Sequence, residues 1–240
     1  MALGVGVDVS VRRGLDVVVL DEHRRLVGAP RAGQTPDDLE ALLRRLRPGA
    51  VAIDSPPAWG VRGSSRRAER ELIALGLPCF RTPSDPALRD HPFYAWMFAG
   101  HAAFDAAARA GYRCFTGGRE AQGRALEVFP HGVAVALAGR RPPPGTARRA
   151  AAKRRWRAAV LTGAGVDSGP LRTLDAVDAA LAALMAVIVA EDGPWFCLGE
   201  ADEGCVVLPG VRPPGPYPRA AETSVTARGA VGSGGSAAPD

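Results

Sequence analysis

Met1-Ala2-Leu3-Gly4-Val5-Gly6-Val7-Asp8 and Ala50-Val51-Ala52-Ile53-Asp54-Ser55-Pro56-Pro57 are two short apolar runs, and each finishes on a carboxylate. Runs of this length with β-branched residues read as buried strands, and in an open α/β sheet ligands gather just beyond the strand carboxyl ends. Aspartates ending two neighbouring strands are expected to point at one spot. Uncompensated, they repel; with a divalent cation between them they form a metal site.

Working outward from these runs, residues 3–9, 15–21 and 25–28 read as three short strands, with Arg12-Arg13-Gly14 as the first turn. Thr35-Pro36-Asp37-Asp38 offers a cap, a first-turn proline and acids at the positive end of a helix dipole. Leu39, Leu42, Leu43 and Leu46 then give an apolar stripe, which Pro48-Gly49 stops. Further helices are expected near 65–75, 93–111, 131–138, 147–161 and 175–191, and further strands over 77–80 and 125–130. A closing hairpin pairs 195–198 with 205–208. Phe93, Tyr94, Trp96, Met97 and Phe104 have the spacing of core residues. Beyond Pro209, Pro, Gly, Ser and Ala dominate without periodicity, so the expectation is one domain over 1–209 and a disordered tail over 210–240. Three strands joined by tight turns, then helix, strand, helix and strand, is the order of the α/β ribonuclease H-like fold: a mixed sheet, with a three-strand antiparallel meander plus parallel strands, flanked by helices. The same opening also fits the actin-like ATPase and sugar kinase fold.

The chain has 240 residues and 47% hydrophobic content, ample for a core. It lacks an uninterrupted apolar run of the ~18 residues that a membrane span needs, and no basic segment leads into an apolar stretch with a cleavage site. No membrane association and a cytoplasmic address are expected. Cys79, Cys114, Cys197 and Cys205 form no C-x-x-C pair, so neither a zinc nor a redox motif is suggested. A net charge of +5 permits nucleic acid as a partner, although Lys153 is the only lysine and the arginine excess accompanies heavy Ala, Gly and Pro use.

Beyond Asp8 and Asp54, Glu127 sits inside a strand pattern, where glutamate is uncommon, and just ahead of Phe129-Pro130-His131. Asp175 and Asp178 share one face of the last long helix, and Asp178 is ranked first as a ligand. Asp8, Asp54, Glu127 and Asp178 are thus the expected catalytic and metal-binding set, with Mg²⁺ or Mn²⁺ as the cation suited to carboxylate oxygens. Arg66, Arg67 and Arg70, at the start of a helix after Asp54, and Lys153, in Lys153-Arg154-Arg155-Trp156-Arg157, are the expected phosphate-binding residues.

Several segments together, namely Ile53-Asp54-Ser55-Pro56-Pro57, Arg67-Ala68-Glu69-Arg70-Glu71-Leu72, Phe80-Arg81-Thr82-Pro83-Ser84, Phe93-Tyr94-Ala95-Trp96-Met97, Glu127-Val128-Phe129-Pro130-His131, Asp175-Ala176-Val177-Asp178-Ala179 and Glu203-Gly204-Cys205-Val206-Val207-Leu208-Pro209, resemble domain of unknown function 429. That family is described as predicted nucleases with a ribonuclease H-like fold. The resemblance runs from Gly4 to Pro209 and implies the acidic set Asp8, Asp54, Glu127 and Asp178. One departure follows Asp8: members commonly show Gly-x-Asp-x-x-x-x-Gly-Trp, where this chain has Val9-Ser10-Val11-Arg12-Arg13-Gly14-Leu15. The leading expectation is metal-dependent cleavage of nucleic acid. The alternatives are a non-catalytic binding or scaffold protein and an actin-like phosphotransferase.

Overall fold

In the computed structural model, which describes residues 2–220, β1 (Leu3–Ser10) and β2 (Gly14–Asp21) form an antiparallel hairpin that sets Asp8 opposite Asp16. The third strand lies later than the sequence pattern suggests. A tight turn, in which the Asp21 carboxylate accepts from the Arg25 amide at 2.8 Å, returns the chain for a single bridge between Leu20 and Leu26. Pro30 has no amide hydrogen to continue a ladder, and pairing with β2 resumes at β3 (Arg31–Gln34) after a register shift.

α1 (Pro36–Leu46) starts on the expected cap, here a full capping box: Thr35 Oγ1 accepts from the Asp38 amide at 3.1 Å, and Asp38 accepts from the Thr35 amide at 2.9 Å. It delivers the chain to β4 (Ala50–Asp54), which runs parallel to β1 with Asp54 in register with Asp8. α2 (Arg67–Ala74), α3 (Ala95–Arg109) and the two-residue β5 (Arg113–Cys114) lead to β6 (Arg124–Val128), parallel to β4. α4 (Pro130–Ala138), α5 (Ala150–Gly163) and α6 (Leu174–Ala190) precede the closing hairpin of β7 (Trp195–Glu200) and β8 (Gly204–Pro209). The sheet order is β3-β2-β1-β4-β6-β8-β7, with β5 beside β6. An antiparallel meander whose first strand continues into parallel β4 and β6 is the ribonuclease H-like arrangement. One such sheet is formed by the described residues. Among them, no helix is long and apolar enough to cross a membrane.

Residues 77–80 lie outside the sheet, although Leu77 is buried. The segment expected to begin a tail is held against the domain as far as Ala220: Tyr217 is buried, its amide donates to the Leu75 carbonyl at 3.0 Å, and Arg141 bridges Arg219. Residues 221–240 of that expected tail lie outside the described residues.

Strand alternation decides which residues face which layer. Val5, Val7, Val17, Val19, Val51 and Ile53 pack with Leu39, Leu43 and Phe104 on the side of α1 and α3. Val18, Leu20, Ala50 and Ala52 face α6 instead. On β1 the α6-facing row begins with Gly4 and Gly6, because the helix backbone passes so close that a Cβ on Gly6 would lie 2.0 Å from the Ala179 carbonyl oxygen. Gly6→Ala is therefore expected to push α6 off the sheet and to cost at least the ~1–3 kcal/mol typical of overpacking. Urea unfolding of the variant checks this; wild-type stability would refute the close-approach argument.

Candidate metal centre

Asp8, Asp16 and Asp54 each continue an α6-facing row to its end, so the hairpin register and the parallel register together put all three on one side of the sheet. α6 crosses that side and contributes Asp175 and Asp178 from its first turns. Thr173 caps the helix by accepting from the Ala176 amide at 3.0 Å, which fixes where the turn carrying Asp175 begins. One carboxylate oxygen from each of Asp8, Asp16 and Asp175 can be chosen so that all three lie within 4.8 Å of one another. Asp54 and Asp178 both act electrostatically on Asp8, and Asp178 acts on Asp54 as well. Asp8 is the member common to both groups.

Among the described residues, these five carboxylates have two cations paired with them directly, and Lys153 acts on Asp178 electrostatically. Arg13 pairs with Asp175, and Arg157 with Asp178 through Oδ2. The deficit shows in the proton affinities. Burial, then Asp54 and Asp178, push Asp8 up to about 10. Burial and Asp178 push Asp54 up to about 8 against the opposing pull of Arg157. Asp178, only 7% exposed, is raised by burial to about 6 even beside Arg157. Burial and Asp175 raise Asp16. Asp178 Oδ1 is buried without a hydrogen-bond partner. Converging hard oxygen donors, excess negative charge and an orphaned carboxylate oxygen fit a divalent cation of the Mg²⁺ or Mn²⁺ kind.

Glu127, expected as the fourth ligand, is placed differently. It is in register with Ile53, not with Asp54, so alternation turns it to the face opposite the acidic row. Both its oxygens are taken by Arg66, Nη1 to Oε2 at 2.8 Å and Nη2 to Oε1 at 2.5 Å. Arg66, expected to meet substrate phosphate, is 2% exposed. Its remaining donors go to Glu69 at 3.0 Å and to the Glu203 carbonyl at 3.1 Å. Burial alone would lower its proton affinity, but Glu127 and Glu69 outweigh that and raise it. Arg66 and Glu127 form a structural pair under the site.

Of the other expected phosphate ligands, Arg67 is exposed and paired with Glu71 and Glu200, and Arg70 donates to the Ser65 carbonyl. Lys153 lies close enough to Asp178 to lower its proton affinity. It and Arg157, after burial itself, hold His131 down to about 4, so that imidazole is neutral at physiological pH.

Sequence reasoning passed over Asp16, Arg13 and Arg157. Asp16 carried a usable signal: an acid inside a strand pattern, at the position a hairpin turning at 11–13 sets opposite Asp8. The two arginines carried none that separates them from their neighbours in basic runs.

Residues 6–203 match the model of a family described as "Protein of unknown function (DUF429)". No curated protein matches the chain. Among solved structures it is similar to the Thermus thermophilus RuvC structure, at 18% identity and TM-score 0.44, covering 82% of this chain and 99% of that one. It is likewise similar to T. thermophilus RuvC in complex with Holliday junction substrate, at 16% identity and TM-score 0.46, covering 83% and 99%.

Proposed function

The chain belongs to DUF429, a protein family of unknown function, and on that premise we propose that its acidic centre serves a divalent-metal-dependent nuclease. The observation that carries this reading is the convergence of Asp8, Asp16, Asp54, Asp175 and Asp178 on one side of the sheet with too few cations to neutralise them. Asp8 and Asp54 would hold Mg²⁺ or Mn²⁺ from rigid strand ends, with Asp178 or Asp175 completing the shell from α6. A cation held there supplies Lewis-acid polarisation of a phosphate oxygen and charge balance for in-line attack by water.

The protein's own residues do the rest. Arg157 fixes the carboxylate of Asp178 through Oδ2 and leaves Oδ1 free. Arg13, an exposed side chain, pairs with Asp175. Lys153 offers a mobile point charge for the phosphate that approaches the carboxylates. Asp16, opposite Asp8, adds negative charge that draws in the cation.

The test is cleavage of end-labelled DNA and RNA, single-stranded and duplex, in Mg²⁺ or Mn²⁺. Wild type is expected to cut at least one of them, with loss of cutting in EDTA and in the Asp8→Asn, Asp54→Asn double variant. Cutting that persists in the double variant would remove the assignment.

A further inference from the structure

Resting on that nuclease reading, we infer that the substrate is an unpaired strand: a cavity beside Asp54 seats one nucleobase, and a hollow across the Phe80–Phe129 ridge seats the neighbouring nucleotide. The first cavity, about 290 Å³, is lined by Asp54, Phe80, Trp96 and Phe129 above the Arg66–Glu127 pair. The second, about 390 Å³, shares Phe80 and Phe129 and adds Trp156, Lys153 and Arg157. Asp54 belongs to the first cavity and to the acidic centre at once, so a base seated there brings its own phosphate to the carboxylates.

The aromatic residues are where a folded chain does not leave them without use. Phe80 is 67% exposed and Phe93 47%, their ring centroids 5.3 Å apart, and Phe80 lies 6.4 Å from Trp96. The spacing that suggested a core stripe holds for Met97 and Phe104, which are buried, and fails for Phe93. Clustered exposed rings rimmed by polar groups mark a contact surface. Rings beside a cation-lined groove are the chemistry that binds single strands, because every base has a face to stack and every linkage a charge to meet. Lys153 supplies that charge in the second hollow, where Arg157 is paired with Asp178.

Concavity argues against a duplex, whose bases are stacked inside and reach such a cavity only after being turned out of the helix. The floor argues for tolerance of sequence. Both Glu127 oxygens are taken by Arg66, and the other Arg66 bonds go to Glu69 and the Glu203 carbonyl, so the first cavity reads shape and stacking more than base edges.

Fluorescence anisotropy of a labelled ten-nucleotide strand and of its duplex, in Ca²⁺, tests this with wild type, Phe80→Ala and Trp156→Ala. The single strand is expected to bind more tightly than the duplex. Phe80→Ala is expected to weaken it on the order of 5- to 150-fold, the range for loss of one stacked base. Because the Phe80 ring is mostly in solvent, the variant should keep the wild-type melting temperature. Duplex binding as tight as single-strand binding, or single-strand binding indifferent to Phe80, would overturn the inference. Binding through Phe80 without cleavage in Mg²⁺ or Mn²⁺ removes the nuclease reading and leaves the strand site. Cleavage of duplex that ignores Phe80 does the reverse, and no binding of either form removes both.

Discussion

Asp8→Asn is expected to remove the response to divalent metal and to make the metal-free protein less sensitive to alkaline pH. Asp8 is the carboxylate that both groups of acids share, so its loss takes a ligand from each arrangement the centre allows. Metal affinity should fall by more than the roughly 10–100-fold that follows loss of an outer-shell partner.

The pH effect follows from linkage. Asp8, Asp54 and Asp178 hold their protons in the fold up to about 10, about 8 and about 6, whereas in the unfolded chain aspartates release them near ~3.9. Their contribution to stability is complete below the unfolded value and is lost as pH rises through the folded values. The metal-free melting temperature should therefore fall between about pH 4 and pH 10 as far as this cluster governs it. Mg²⁺ or Mn²⁺, binding only the folded state, should restore it most at the alkaline end. Asn cannot ionise, so Asp8→Asn should flatten the decline and abolish the metal shift together. Melting curves at pH 5, 7 and 9 with and without metal decide it. A wild-type protein whose melting ignores both pH and metal would count against the centre.

Arg66→Ala carries the largest expected loss of stability. Arg66 joins the start of α2 to β6 through Glu127 and to the β7–β8 turn through the Glu203 carbonyl. The same turn returns a bond, with the Glu203 carboxylate accepting from the Arg67 amide at 3.0 Å. Glu69, the third partner, also accepts from the Thr82 amide at 2.9 Å and so ties in the loop that carries Phe80. Removing the guanidinium strands two buried carboxylates, a defect that costs about 3–5 kcal/mol. For a chain of this size that corresponds to roughly 6–20 °C in melting temperature. Adding Glu127→Gln to Arg66→Ala should recover part of the loss, because the amide is far cheaper to leave uncharged and buried. A single variant within 1 kcal/mol of wild type, on the ~1 kcal/mol scale of an ordinary substitution, would mean the pair is relieved by water.

What the amino-acid order determined alone was whatever depends on near neighbours. The apolar runs ending at Asp8 and Asp54, the Thr35–Asp38 cap, the order of helices and the closing hairpin all follow from local pattern, and with them the ribonuclease H-like class. What only the tertiary structure decided was which side each chemical group faces. A shift of one residue in strand register reverses a side chain, so Glu127, aligned with Ile53, left the acidic row, while Asp16, aligned with Asp8, joined it. The nearby turn at 11–13 encodes the alignment of Asp16, but nothing within a few residues of Glu127 encodes its own. Likewise a run of arginines reads as a solvated or phosphate-facing patch until folding brings a carboxylate 61 positions away against one of them. Burial then turns Arg66 into a structural ion, and the same packing leaves Phe80 and Phe93, apolar by composition, standing in solvent, Phe80 at the cavity that Asp54 also lines.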